Sequence, residues 1–593
     1  MVLCWYLIPL GILYLLIRRR NQNTQSLVLL LYNAMFVSGL QICVRMQAQG
    51  AQPVGSVVAS SLFSAIQNIT FNGDFNWAAA QSAEVQSKIV LIALIASVIT
   101  VYSVLLAFFG KLMRQFRLRL SGLVRRRRFI LVGSAEYAAQ LLDGIREKHF
   151  APHVVYIPTT PQKGAALGGA VRVETLNYLR HLGRWKRHDI LLLPDEHGEN
   201  LNLLLELDEN AAEKNQIHVT AFLANETIRY HDILLKRIDA CLFSAEQLAM
   251  YRFFDAEASD GKARRPMTLL REACAFRKID GLPYLTQPYE ICVIGFGSVG
   301  QEFLLQSYEN SAFLTEGGKI GFGALVLDAD LHTKRETFWN QVPMLAEKAE
   351  ITFVDAAVGT EEYYQAILSR LDSLRQILIS TGEETRNVQT AWDLCRYLDC
   401  LGRFEKRPQI VVVCSKADAG MRLLLKDYQD SVYWLGVNRA LMDYETLIER
   451  KLDSAAQVIN AQYNRRSEKE TKWEALGTLK QASNRAVIRD RVNVLALNEL
   501  CGTASKAEDA ERKLTFLAQY EHTRWCAFYY ARGWKPLPVS ELTDEEREQF
   551  LSSRTKEKRH ICLVPWEQLN ALPQKKPVEY QEYDRINIRK ALE

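Results

Sequence analysis

The chain has 593 residues, a net charge of +5 and 24% charged residues. That is length for several domains of ~100–200 residues each, and the charge excess is too small to imply a nucleic-acid partner. Its 11 cysteines are scattered, with no C-x-x-C pair and no His/Cys cluster. This excludes a disulfide framework or a zinc site as the organising feature and fits a reducing compartment.

Three apolar runs come first, at 2–17, 27–44 and 89–109. A spanning helix needs ~20 apolar residues, so the third run is long enough, the second nearly so and the first short. Arg18, Arg19 and Arg20 follow the first run instead of preceding it, so it reads as a membrane segment and not as a cleaved leader. The loop from Met46 to Ser87 has no Lys or Arg, whereas Lys111, Arg114, Arg117, Arg119 and Arg125 to Arg128 crowd the far side of the third run. The positive-inside bias then predicts an outside N-terminus, three crossings of the cell (inner) membrane and a cytoplasmic remainder.

The outside loop carries apolar residues at 58, 62, 65, 66 and 69, a helical spacing, followed by Thr70-Phe-Asn-Gly-Asp-Phe75. A short amphipathic helix and a Thr/Gly/Asp turn between two spans resemble the re-entrant pore loop of two-helix cation channels. Thr70, Asn72, Gly73 and Asp74 are the candidate pore residues, tolerated at membrane depth only if they line water or are buried in protein. Of the potassium-channel TVGYGD pattern only Thr70, Gly73 and Asp74 are matched. The alternative is an amphipathic loop that packs on the helices.

From Phe129 onward the pattern changes to short apolar runs alternating with helical stretches, which predicts parallel sheets covered on both faces. The first unit, about 127–280, has Gly133 in the first place of a dinucleotide fingerprint but Ala135 and Ala138 in the second and third. A methyl at Ala135 hinders approach of a pyrophosphate, and Tyr156-Ile-Pro158 supplies no acid after the second strand. A structural use of this unit is therefore expected.

The second unit, about 287–450, has the complete pattern Gly295-Phe-Gly-Ser-Val-Gly300 between a strand and a helix. Gly295 suits the tight turn, Gly297 lets backbone approach a pyrophosphate, and Gly300 allows close packing; Gln301 to Tyr308 opens the helix, and Ser298 is a further candidate ligand residue. Asp328 ends the next strand and suits ribose hydroxyls; Thr381 and Gly382 fall at the carboxyl edge, where ligands bind in such sheets. The alternative is a unit that keeps its glycines for packing. Two such units behind a spanning helix resemble the regulator-of-potassium-conductance (RCK, TrkA-type) domains of prokaryotic channels and transporters. The resemblance implies a ligand-gated assembly whose cytosolic units oligomerise and pull on the inner helix, and symmetric closure around a pore makes a homodimer or homotetramer the expected form.

The last unit, about 470–593, carries E-H-x-R-W…G-W from Glu521 to Trp534, then K-R-H-x-C-L-V-P-W from Lys558 to Trp566. Together these resemble the ryanodine-receptor repeat (RyR) domain. Members joined to TrkA-type domains resemble sensors of nucleotide-derived signals in bacterial antiphage systems. Glu521, His522, Arg524, Trp525, Lys558, Arg559 and Trp566 are the candidate ligand residues, through stacking on a base or holding phosphate and ribose oxygens; the alternative is that the tryptophans form a small core.

The predicted architecture is a multi-domain membrane protein: N-terminal transmembrane helices, two α/β Rossmann-like RCK-type units and a small, mainly α, RyR-like domain. The expected function is a ligand-gated membrane effector or channel that senses a nucleotide-type small molecule and carries no catalytic residues. A non-conducting regulatory scaffold and a membrane-bound NAD-dependent oxidoreductase remain as alternatives.

Overall fold

The computed structural model describes residues 127–593, except 151, 160–166, 169, 174–175, 183–186, 195–196, 212–215, 256–262, 404–406, 416–418, 438–440, 465–470, 505, 550 and 574–578, together with four residues between 53 and 59. The three apolar runs and the loop residues Thr70, Asn72, Gly73 and Asp74 lie outside the described residues. Among the described residues no helix is long and apolar enough to cross a membrane. Arg126–Gly168 and Arg172–Glu593 form one compact unit.

Two six-stranded parallel sheets dominate that unit. The first comprises β1 (Arg127–Val132), β2 (His153–Ile157), β3 (Val171–Arg172), β4 (Arg187–Leu192), β5 (Ile217–Phe222) and β6 (Asp239–Phe243), in the order β3-β2-β1-β4-β5-β6. A hairpin of β7 (Phe276–Ile279) and β8 (Leu282–Leu285) leads to the second sheet. That sheet comprises β9 (Tyr289–Ile294), β10 (Phe322–Asp328), β11 (Glu350–Asp355), β12 (Leu374–Ile379), β13 (Gln409–Val413) and β14 (Val432–Leu435), in the order β11-β10-β9-β12-β13-β14. Both are doubly wound, and each strand order reverses beside its first strand, which opens a crevice at the carboxyl edge.

The central strands are unbroken apolar runs because helices cover both faces. Ile291 to Ile294, Leu325 to Leu327, Ile377 to Ile379 and Ile410 to Val412 are all at most 2% exposed. The helices that matter for function are α1 (Ala135–Lys148), α2 (Asn225–Tyr230), α3 (Ala245–Phe254), α4 (Ser298–Glu309), α5 (His332–Gln341), α6 (Glu384–Cys400) and α7 (Lys451–Asn464). Most surface helices bury one stripe, but α4 is buried from Phe303 to Glu309 without interruption. It lies against β9, α3 and the C-terminal region.

After β14 the chain returns to the first sheet. The Thr220 hydroxyl donates to the Leu447 carbonyl at 2.7 Å, and Arg450 meets Asp239 at 2.6 Å. The C-terminal region is helical: α8 (Thr478–Cys501), α9 (Ala507–Tyr530) and α10 (Tyr580–Leu592), with a small sheet of β15 (Lys535–Pro536), β16 (Ser553–Arg554) and β17 (Arg559–His560). Gly533, at φ +79°, turns the chain out of α9 into β15. The segment between α4 and β10 explains why Asp328 comes late after the glycines. It forms a tight turn bridged at Leu314 and Ile320, and its Phe313 stacks on Tyr520 of α9 at 5.8 Å.

Candidate functional site

The loop after β9 is built by its glycines. Gly295 has φ +91°, and a Cβ there would lie 2.2 Å from the Ser380 carbonyl oxygen. The loop therefore presses directly on the turn after β12, which brings Thr381 and Gly382 beside it. A Cβ on Gly300 would lie 2.2 Å from the Gly295 carbonyl oxygen, so the first turn of α4 closes onto the same loop. Gly297 differs: it precedes α4, and nothing lies within 4 Å of where its Cβ would be. Open space at that position, at the end of a helix whose first N–H groups lack intrahelical acceptors, is what an anionic group requires.

Asp328 reaches back to this loop. Its Oδ2 accepts from the Phe296 N–H at 2.7 Å, its Oδ1 from the Asp330 N–H at 2.9 Å, and the Lys334 ammonium contacts both oxygens at 2.9 Å. Burial opposes ionisation here, but Lys334 and the two N–H groups hold the carboxyl below its usual range. An ionised carboxylate has about four lone-pair sites, so ribose hydroxyls would share Asp328 with the loop and with Lys334. On the other side, Asn387 of α6 accepts from the Thr381 N–H at 2.7 Å and hydroxyl at 2.8 Å, and donates to the Val413 carbonyl at 2.9 Å. Gly382, at φ +95°, faces open space.

Two participants escape sequence reasoning. Lys334 sits six residues past Asp328, one in a run of charged and polar residues that carries no motif. Glu246, in the first turn of α3, accepts from the Ser298 hydroxyl at 2.9 Å. The first Rossmann-like unit thus places a carboxylate at the N-terminus of α4.

In the first unit the corresponding loop is tied to the neighbouring strand. Gly133 has φ +137° and is followed by Ser134 and Ala135 at the start of α1. Ala138 is fully buried, and the buried Tyr156 donates its hydroxyl to the Gly133 carbonyl at 3.0 Å. Tyr156 lies on β2, the strand that ends in an acid in a dinucleotide site.

Helix α4 carries two buried carboxylates, Glu302 one turn from its start and Glu309 at its end, and both must be paired. Arg229 of α2 contacts Glu302 at 2.8 Å and Glu309 at 3.0 Å; Arg532, from the C-terminal region, meets Glu309 at 2.7 Å. Asn225 and Gln306 each donate to Glu302 at 3.0 Å. Burial penalises the Glu309 charge, yet Arg532, Arg229 and Arg489 hold its carboxyl below the usual range. One helix therefore joins the glycine loop to an ion network shared by the first Rossmann-like unit and the C-terminal region.

Of the C-terminal candidates, Glu521, His522, Arg524 and Trp566 are buried. Glu521 and Arg524 are buried and pair with each other at 2.7 and 2.9 Å, and Asn587 of α10 donates to Glu521 at 3.1 Å. His522 is buried, with Nε2 at 2.8 Å from the Val564 carbonyl. Trp525 is half-buried and packs on Tyr529 at 4.5 Å and His560 at 5.1 Å, while Trp566 is 7% exposed near His522. Burial, with His522 close by, pushes the His560 imidazole down to about 4. Arg559 is held by Glu541 on the surface at 2.9 Å. Among the seven, Lys558 lines a cleft. The apolar spacing along α9 turns Glu521, His522 and Arg524 inward, where each must find a partner.

No family model matches the chain, and no curated protein matches it. Among solved structures it is similar to the GsuK channel, at 14% identity over 72% of this chain and 100% of that chain, with a TM-score of 0.32. It is also similar to the GsuK RCK domain, at 12% identity over 56% of this chain and 79% of that chain, with a TM-score of 0.32. A dipicolinate synthase from Bacillus halodurans overlaps at 10% identity over 55% of this chain and 92% of that chain, with a TM-score of 0.19. Overlaps at this level add no weight to a functional reading, which this chain's own geometry must carry.

Proposed function

We propose that this protein is a ligand-gated membrane effector or ion channel of the RCK type. Its second Rossmann-like unit takes a nucleotide-derived small molecule at the Gly295–Gly300 loop. The observation that carries this reading is the open approach at Gly297, at the switch point of the sheet, with Asp328 beside it. The phosphates sit over Gly297 and the start of α4, and the ribose faces Asp328 and Lys334. A ligand shifts a gate only by binding its two states differently. Helix α4 supplies the lever: its N-terminus meets the ligand, and its Glu302 and Glu309 engage Arg229 and Arg532. A change at the loop thereby reaches both the first unit and the RyR-like domain.

In this reading the apolar runs before residue 110 anchor the chain in the cell membrane, and the basic segment ending at Arg128 transmits the motion. The chain acts as a homo-oligomer, because closed symmetry is the usual way to surround a pore. It senses and gates and performs no catalysis, and the RyR-like domain ties the assembly to nucleotide-derived signals of antiphage defence. The test is reconstitution of the full chain in liposomes, with ion flux measured as adenine nucleotides are added. Flux that rises with a nucleotide and is lost in Gly297→Asp supports the reading. Confirmed binding without flux for any nucleotide removes the channel claim.

A further inference from the structure

Between the C-terminal region and the two Rossmann-like units lies a cleft of about 450 Å³, lined by side chains from all three. This volume is within the ~300–1,000 Å³ of small-molecule sites. Tyr230 and His231, at the end of α2, form one wall, and the end of α5 at Asn340 and Gln341 forms the second. Gly533 and three lysines, Lys535, Lys556 and Lys558, form the third. The apposition is close: a Cβ on Gly533 would lie 2.3 Å from the Gln341 carbonyl oxygen. Such a cleft cannot open or close without moving α9 against the second sheet.

The charge in the cleft is unbalanced. Lys558 adopts the left-handed conformation at φ +52°, donates to the Arg532 carbonyl at 3.2 Å and stands 5.0 Å from the centre of the Tyr230 ring. Burial lowers its affinity for the proton, so its charge sits there at a cost. Lys535 and Lys556 are exposed and have no ion-pair partner among the described residues, and β15 runs beside β17 so that the Lys535 N–H donates to the Lys558 carbonyl at 2.8 Å. Two carboxylates also line the cleft, Glu226 and Glu557, and the second is drawn toward Arg554 at 3.6 Å. Three ammonium groups against two carboxylates, one of them drawn off by Arg554, leave the concavity net positive and attractive to an anion. Lysine, a compact and mobile point charge, is suited to phosphate.

We propose that this cleft is a second ligand site, separate from the glycine loop, that binds a small molecule carrying two or more phosphate groups. Lys558 holds one phosphate at the floor, and Lys535 and Lys556 close on the others from the rim. Because the walls belong to three parts of the fold, an occupant there clamps the C-terminal region to both Rossmann-like units. The inference does not require that the glycine loop bind anything.

Inorganic tripolyphosphate is the probe, titrated calorimetrically into the detergent-solubilised full chain. We expect Gly297→Asp, which removes any phosphate held at the glycine loop, to retain a tripolyphosphate site, and the double variant Lys535→Glu/Lys556→Glu in that background to bind at least about tenfold more weakly. Both substituted side chains are exposed, so thermal unfolding of the double variant should match its Gly297→Asp parent; Lys535→Gln/Lys556→Gln repeats the test if charge reversal disturbs the fold. The proposal is overturned if wild type does not bind tripolyphosphate or if the lysine variants bind as their Gly297→Asp parent does. It is equally overturned if Gly297→Asp abolishes binding, which would place the anion at the glycine loop and favour that site instead.

Discussion

The two Rossmann-like units share a strand order and differ at one turn. In the first, Tyr156 donates a hydrogen bond to the Gly133 carbonyl and alanines hold the second and third fingerprint positions; in the second, Gly297 opens to space beside Asp328. The lesson is a division of labour. The first unit lends residues to the second: Arg229 to the buried network and Glu246 to the start of α4.

The comparison breaks most severely at Arg229. Arg229→Met leaves Glu302 and Glu309 with fewer partners in a fully buried setting, and should cost about 3–5 kcal/mol, read from denaturant unfolding of the full chain. Gly300→Ala tests the tight turn of the second unit. It forces a Cβ against the Gly295 backbone and should cost about 1–3 kcal/mol, whereas Ala138→Gly, at the same fingerprint position of the first unit, should cost only about 0.5–1 kcal/mol. Equal losses would erase the distinction between the loops.

The C-terminal region should impose a pH dependence that neither sheet shares. Burial pushes the Asp490 carboxyl up to about 7, against the pull of Arg524. The native state then holds a proton that the unfolded chain releases near its ordinary value, so this group's contribution to stability falls as pH rises from about 4 to about 7. Asp490→Asn should flatten that part of the stability-versus-pH curve; an unchanged slope contradicts the assignment. The smallest effect is expected at Glu246. Glu246→Gln removes a negative charge from the start of α4 and should tighten adenine-nucleotide binding by a few-fold, with stability changed by less than about 0.5 kcal/mol.

Much of the described fold was legible from the strands. Runs such as Ile291 to Ile294 and Ile410 to Val412 read as doubly covered strands because burial on both faces demands continuous apolar sequence. The glycine roles were legible too, since a positive φ at Gly295 and a close approach at Gly300 are local demands. Partners from distant segments were not. Glu246 is 52 residues from Ser298, and Arg532 is 223 residues from Glu309. No spacing rule links such pairs. In the C-terminal motif, Glu521 and Arg524 face inward on α9 and pair with each other, a pairing the motif alone does not state.

The claim on which the account depends is that the second glycine loop, and not the first, is a nucleotide site. Its most direct test is equilibrium binding of ADP, ATP and NADH to the detergent-solubilised full chain, comparing wild type with Gly297→Asp and with Ala135→Asp in the first unit. The account predicts that at least one nucleotide binds wild type and Ala135→Asp alike and fails to bind Gly297→Asp. Binding that survives Gly297→Asp, or that is lost in Ala135→Asp alone, would contradict it.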